Sequence, residues 1–146
     1  MKIRVAGPED KDTVFKFLDK TLEITIWKDF YPDLNKERLV ESFLNPNTHS
    51  DRMVLFLLDD SDTEVGMASF DAYAFPDSHF KVARLRSIFL EEEHRGKGVM
   101  SMVLDTLHYW AEKVGCSYIN LGAAEGVDLE KHGYKLMEKL YIKDIR

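Results

Sequence analysis

The 146-residue chain contains a single cysteine, Cys116, and no long apolar run. One cysteine cannot form an intrachain disulfide, which suits a reducing compartment, so we expect a cytoplasmic protein. No apolar stretch approaches the ~20 residues that a membrane-spanning helix requires, and we expect no membrane association. Residues 1–6 lack a long apolar stretch after their charges, which argues against a signal peptide.

Basic residues are also scarce, since 20 Lys and Arg stand against 26 Asp and Glu, giving a formal net charge of −6. Non-specific nucleic-acid binding relies on a basic surface, so we expect no nucleic-acid partner. The charge mildly favours a cationic partner. There is no internal repeat, low-complexity tract or linker, and the length suits one core. We therefore expect one domain over residues 1–146.

Hydrophobic periodicity predicts the element order β-α-α-β-β-β-α-β-α-β, with short turns that make the central strands an antiparallel meander. The resulting fold class is α+β, a mixed α/β sandwich with a mostly antiparallel sheet flanked by helices. Strands are predicted at residues 2–6, 53–58, 64–75, 80–90, 118–121 and around 136–142. Helices are predicted from Gly7-Pro8, after the cap Asn35, from Val99 to Gly115, and near residues 129–132.

The most informative segment runs from Ile88 to Met100, where a strand ends, two glycines follow and a long helix begins. Successive N–H groups at a helix start form an anion site, to which Arg95 and Lys97 add positive charge. The same features also suit a solvated turn. A P-loop fails because Lys97 is followed by Gly98 and not by Ser or Thr. A dinucleotide fold fails because its glycine turn belongs in the first βαβ unit.

The spacing Arg95-x-x-Gly98 matches the signature [Q/R]-x-x-G-x-[G/A] of coenzyme A binding in the GNAT acetyltransferase superfamily, which this chain resembles. Downstream, Glu130-Lys131-His132-Gly133-Tyr134 resembles the family's closing block, Leu-Tyr-Glu-Lys-x-Gly-Phe. The motif-level match covers residues 80–134. The N-terminal half agrees in the order and type of its elements.

The resemblance implies an acetyl-CoA-dependent N-acetyltransferase whose coenzyme lies between the fourth and fifth strands. Its pantetheine arm is expected along the backbone of Ile88, Phe89 and Leu90. The acceptor is expected to be a primary amine, on a small molecule or a protein. The remaining coenzyme-binding residues that the resemblance implies are Arg95, Gly96, Lys97, Gly98, Val99, Met100 and Ser101.

The chain departs from the family pattern at three places. Met100 stands where Gly or Ala is usual, and Leu129 where a tyrosine often protonates the departing thiolate. The fourth strand reads Arg84-Leu85-Arg86-Ser87 and lacks the usual glutamate base. The catalytic residues are therefore unknown, with Glu125 the first candidate base and Tyr73 the second.

Several other conspicuous residues receive structural interpretations. Residues 91–93, all glutamate, favour a solvated turn over a catalytic cluster. The histidines show no metal-ligand spacing, so no metal is expected, and Cys116 is interpreted as a small packing residue. Aromatic residues of the link between the first two helices belong either to the core or to the border of the acceptor pocket. They are Trp27, Phe30 and Tyr31.

Three functions stay open on this evidence. The first is the acetyltransferase, and the second is a catalytically weak or inactive coenzyme-A-binding module, which the departures at Leu129 and the fourth strand motivate. The third is a fold that binds a protein partner and no coenzyme. The identity of the amine and the oligomeric state, including a homodimer, are also open.

Overall fold

A computed structural model describes residues 1–24, 34–45, 51–122, 127–137, 143 and 145 of the chain. Its strands are β1 (Lys2–Val5), β2 (Arg52–Leu58), β3 (Glu64–Ala74), β4 (Lys81–Leu90) and β5 (Cys116–Leu121). Its α-helices are α1 (Lys11–Ile24), α2 (Lys36–Leu44) and α3 (Val99–Lys113). The candidate base Glu125 and the aromatic residues Trp27, Phe30 and Tyr31 lie outside the described residues.

The five strands form one sheet in the order β1-β2-β3-β4-β5. Neighbouring strands from β1 to β4 are antiparallel, and β5 alone among these strands pairs in parallel, with β4. The parallel pairing follows from α3, which carries the chain back along the sheet between the two strands. The predicted mixed α/β sandwich with a mostly antiparallel sheet is confirmed.

Each face of the sheet is covered by helices, because side chains alternate along a strand and both faces carry apolar residues. On one face α3 buries Val103 and Leu107 completely against Phe70 and Ala83. On the other face α1 and α2 cover a second cluster, in which the ring of Phe17 lies between those of Phe56 and Phe89. None of the helices in the described ranges combines the length and apolar character that crossing a membrane requires.

The C-terminal elements differ from the prediction. The helix predicted near residues 129–132 is a single 3-10 turn, Glu130–His132, which Gly133 ends by adopting a left-handed φ of 84°. The strand predicted around residues 136–142 is not found at Leu136 and Met137, which have no regular secondary structure, and residues 138–142 lie outside the described ranges. At the N-terminus the predicted helix start is a 3-10 turn, Pro8–Asp10, that leads into α1.

An ion-pair cluster joins β1, the start of α1 and β3. Arg4 donates to both carboxylate oxygens of Asp10, at 2.8 and 3.0 Å, and to Glu64 Oε1 at 2.8 Å. Asp10 also accepts the N–H of Gly7 at 2.8 Å. These bonds, chiefly those from Arg4, hold the pKa of Asp10 below its ordinary value.

We predict that this lowered pKa makes the fold acid-sensitive. A carboxyl whose pKa is lower in the folded state stabilises the protein above its unfolded pKa of ~4, and the contribution is lost as the pH falls through the folded pKa. Asp10→Asn is therefore expected to be less stable than the wild type near neutrality and to lose less stability on acidification. Chemical denaturation in steps from about pH 7 to pH 3 measures both trends. Parallel curves for the two proteins would contradict the assignment.

Candidate functional site

The sheet opens between β4 and β5. The two strands pair from Lys81 opposite Cys116 to Leu85 opposite Leu121, where β5 ends, whereas β4 continues to Leu90. Among the described residues nothing pairs with the outer edge of β4 beyond Leu85. We call the space beside residues 86–90 of β4 the split.

The pairing of β3 with β4 shows which backbone groups face the split. The N–H of Glu91 donates to the carbonyl of Val65 at 3.0 Å, so Glu91 faces β3. Backbone groups alternate in direction along an antiparallel strand. Leu90 and Ile88 therefore direct their N–H and C=O groups into the split, and Phe89 directs its own towards β3. Of the three strand residues predicted to hold pantetheine, Ile88 and Leu90 are placed to do so through their backbones.

The loop after β4 leaves the backbone N–H groups at the start of α3 free to bind an anion. Gly96 and Gly98 have φ values of 76° and 74°, in the left-handed region that glycine occupies most easily. Gly98 is the N-cap of α3, provides no capping side chain, and is followed by no acidic residue in the first turn. The intrahelical ladder begins with the N–H of Met102, which donates to the carbonyl of Gly98 at 3.3 Å. The N–H groups of the first turn thus remain available at the positive end of the helix dipole.

The residues predicted to bind coenzyme A lie at the end of β4, in the loop that follows it and in the first turn of α3. Arg95 is exposed and donates through Nε to the carbonyl of Leu90 at 2.9 Å, which ties the loop to the strand end. Lys97 is exposed, and Val99 is buried, so Val99 offers its backbone. Met100 is half-buried and Ser101 exposed in the first turn of α3. The arrangement has the shape that the prediction requires, and the assignment of each residue stays a prediction.

The glutamates of this loop are not placed as a catalytic cluster. Glu91 accepts from Lys20 Nζ at 2.7 Å, and this bond holds the pKa of Glu91 below its ordinary value, which disfavours a role as general base. Glu92 and Glu93 are exposed. One oxygen of Glu91, one of Glu93 and a ring nitrogen of His94 lie within 4.8 Å of one another. This exposed grouping has no further feature that indicates a cation.

A second group of polar side chains lies on the sheet face that α1 and α2 cover. We call it the polar cluster. Asp71 is buried, with 8% of its surface exposed, and accepts a bidentate pair from Arg84, from Nε at 3.0 Å and from Nη2 at 2.9 Å. Arg84 lies 5.2 Å over the ring of Tyr73, whose hydroxyl accepts from Asn120 at 3.2 Å. The remaining members are Arg86, Ser69 and Ser87, the last two joined by a 2.6 Å hydroxyl bond.

Arg86 lies two positions after Arg84 and so shares its sheet face, and β4 carries one extra residue at this point. Ser69 pairs with Ser87 and the adjacent Phe70 pairs with Leu85, so Arg86 has no partner on β3 and forms a β-bulge. Its guanidinium lies 3.7 Å from Asp71 Oδ2. In the sequence this segment was notable only for its missing glutamate. The alternation of Arg84 and Arg86 with apolar residues was the available signal, but the bulge itself depends on pairing with β3.

The closing block places no side-chain acid at Leu129. Leu129 is the N-cap of the 3-10 turn, and its carbonyl accepts from the N–H groups of His132 and Tyr134 at 3.0 and 3.4 Å. Tyr134 is half-buried; burial first, and the charge of Asp105 second, raise the pKa of its phenol. The phenol of Tyr134 therefore stays protonated throughout the neutral range.

The strand pair β4–β5 opens beyond Leu85, and the helix that follows β4 has an uncapped N-terminus, two features that suit an extended, anionic ligand. The model of the Acetyltransferase (GNAT) family matches residues 20–138. The chain belongs to the GNAT acetyltransferase family, whose members are acyltransferases.

Solved structures agree at the level of the fold. A predicted acetyltransferase from Clostridium acetobutylicum, solved with acetyl-CoA, is 16% identical with a TM-score of 0.77, covering 99% of this chain and 96% of its own. The ribosomal-protein-alanine N-acetyltransferase of Brucella melitensis is 17% identical (TM-score 0.71, 99% and 100% covered). An aminoglycoside 6'-N-acetyltransferase of Acinetobacter haemolyticus is 18% identical (TM-score 0.68, 100% and 99% covered). No curated protein sequence matches the chain.

Proposed function

We propose that this chain transfers the acetyl group of acetyl-CoA to a primary amine at the inner end of the split. The observation that carries the proposal is the divergence of β5 from β4 at Leu85, together with an uncapped helix N-terminus that follows the outer end of β4. The edge of β4 can bond an extended pantetheine arm at Ile88 and Leu90. The first-turn N–H groups of α3, with Arg95 and Lys97, suit the diphosphate. We infer from these two features that the thioester lies near Leu85.

The reaction then needs little from side chains. The neutral amine attacks the thioester carbonyl, a C–N bond forms, the C–S bond breaks, and the amine's proton leaves to solvent or to a base. A backbone N–H facing the split stabilises the oxyanion. A thiol pKa of ~8.5 makes thiolate an adequate leaving group without the tyrosine that Leu129 replaces. Loss of general acid–base help costs roughly 10²–10⁴-fold, which slows turnover without abolishing it.

No described carboxylate at the split is positioned as a base. Asp71 is bound by Arg84, and Glu91 is bound by Lys20. The hydroxyl of Tyr73, the second candidate, accepts from Asn120. These contacts favour a mechanism in which the enzyme binds the small neutral fraction of the amine.

The second candidate function is a coenzyme-A-binding module without transferase activity, which the apolar Leu129 favours. Thiol release from acetyl-CoA, followed with a chromogenic disulfide over a panel of primary amines, distinguishes the two. Transferase activity requires release that depends on the amine and saturates with it. Tight acetyl-CoA binding with no amine-dependent release over the panel would support the module.

We predict that a negative charge at Gly98 prevents coenzyme binding. A Cβ built on Gly98 has no heavy atom within 4 Å, so the constraint there is its left-handed backbone, which Asn and Asp tolerate better than other residues. Gly98→Asn and Gly98→Asp should therefore both fold. Asp places a carboxylate at the first-turn N–H groups and is expected to weaken acetyl-CoA binding at least about tenfold more than Asn. Calorimetry measures the acetyl-CoA affinity of both variants, and circular dichroism checks that both are folded. Equal affinities would show that the diphosphate does not bind at this loop.

We predict that activity rises with pH across the neutral range. An alkylamine with a pKa of ~10.4 is almost wholly protonated at neutrality. Without a dedicated base, kcat/KM should follow the neutral fraction and increase almost tenfold per pH unit until another step limits it. The measurement is a pH profile of kcat/KM with the best amine of the panel. A plateau that begins at about pH 6 to 7 would show a base at work and direct attention to Glu125.

Three further expectations belong to this proposal. Cytoplasmic location, one domain over residues 1–146 and the absence of a metal requirement stay predictions. A homodimer stays an open alternative.

A further inference from the structure

The charges of the polar cluster do not cancel. Asp71 supplies its one carboxylate, and Arg84 already occupies both oxygens with a planar, bidentate pair. Arg86 approaches no closer than 3.7 Å to that carboxylate, beyond hydrogen-bonding distance. Arg86 makes no hydrogen bond to any described residue, and 41% of its side-chain surface is exposed. Its guanidinium is thus a positive charge with unused donors.

A third arginine adds to this excess. Arg52 is the cross-strand neighbour of Asp71 on β2 and lies on the same sheet face. Its guanidinium stacks 5.2 Å from the ring centroid of Phe43 and donates to the hydroxyl of Ser42, which is uncharged. Two guanidinium groups, those of Arg84 and Arg86, therefore share one buried carboxylate, and the third arginine is bound on the same sheet face by uncharged groups, although the chain as a whole is acidic.

Arg86 lies beside the end of the split at which we propose that acetyl transfer occurs. Arg86 follows Leu85, the last residue of β4 that pairs with β5, and so marks the inner end of the split. The backbone of β4 beyond it faces the split at Ile88 and Leu90, whereas the side chain of Arg86 lies beside Asp71 on the face of α1 and α2. The Arg86 guanidinium therefore belongs to the residue of β4 next to the inner end of the split.

We propose that Arg86 binds a carboxylate of the acceptor, which makes the acceptor an amine that also carries a carboxylate, such as an amino acid or a short peptide. The inference rests on the proposed acetyl transfer and narrows its substrate class. Arginine presents a planar fork that matches a carboxylate in two parallel hydrogen bonds. Arg84 takes both oxygens of Asp71 in its bidentate pair, so Arg86 keeps its hydrogen-bond donors for a second carboxylate. A polycationic amine would meet Arg84 and Arg86 at the same place.

Matched pairs of amines with and without the carboxylate test the inference directly. The pairs are L-lysine with cadaverine and L-phenylalanine with phenethylamine, assayed by thiol release from acetyl-CoA. We expect kcat/KM, expressed per concentration of neutral amine so that differences in amine pKa do not contribute, to be roughly 10–100-fold higher for the carboxylate member, which is the range of a hydrogen bond to a charged group. β-Alanine against O-phosphoethanolamine separates carboxylate from phosphate, and preference for the phosphate would overturn the assignment.

Variants identify the residue responsible. Arg86→Gln is expected to bring the ratio within each pair close to one, through a higher KM for the carboxylate member, and Arg86→Lys to restore part of it. Arg38→Gln removes the same charge from an exposed position on α2 and is expected to keep the ratio of the wild type. A ratio that survives in Arg86→Gln would overturn the role of Arg86.

Binding separates this inference from the proposed function. Calorimetry of the same pairs with the coenzyme-A-loaded protein measures the carboxylate preference even where no transfer occurs. Preference for the carboxylate member without thiol release would contradict acetyl transfer and support the binding role of Arg86. Equal binding, a preference for the decarboxylated member, or no binding by any carboxylate-bearing amine would overturn the inference while leaving transfer to another amine intact.

Discussion

The β-bulge at Arg86, one extra residue in β4, determines which side chains of this strand lie on each face of the sheet. A strand side chain normally shares its face with those two positions away, so Leu85 and Ile88 belong on opposite faces. The bulge at Arg86 shifts this alternation, and Leu85, Ile88 and Leu90 all pack towards the α3 face. Bulges also bend and twist the strand that carries them. The bulge lies one residue beyond the last β4–β5 pair, so the strand changes course where the partner strand stops.

The same shift supplies both halves of the site. On the α3 side it keeps apolar side chains under the helix while the backbone of Ile88 and Leu90 faces outward to the split. On the α1–α2 side it adds Ser87 to the face that already carries Arg84 and Arg86 beside Asp71, and the hydroxyl of Ser87 bonds that of Ser69. A regular strand in this register could not present both the apolar row and the paired arginines.

The sequence predicted those parts of the fold that depend on local pattern. The strands of the meander, the cap at Asn35 and the start of α3 at Val99 agree with the structure within one or two residues. The glycine loop could be predicted because its features are local in the sequence. They are a glycine N-cap in the left-handed conformation, which has no capping side chain, and the helix whose dipole begins there. The closing block was harder, because Gly133 ends the 3-10 turn after three residues and the following segment has no periodicity that specifies a strand.

The polar cluster was not predicted because it exists only through pairing across strands. Asp71, Arg84 and Asn120 come from three strands, and no spacing in the sequence marks them as neighbours. The bulge likewise cannot be predicted from the sequence, because it is defined by the register between β3 and β4.

The net charge of −6 favoured a cationic partner, yet that charge is a property of the whole surface and decays within a Debye length of ~10 Å in ordinary salt. At the inner end of the split the nearby charges determine binding, and they are two arginines that share one carboxylate. The distant acidic surface still affects how fast a charged amine arrives, because steering acts over the approach path. The affinity of the bound acceptor depends on contacts of a few ångströms. An acidic protein can therefore select an acceptor for its carboxylate, and the sign of the net charge does not predict the sign that the site recognises.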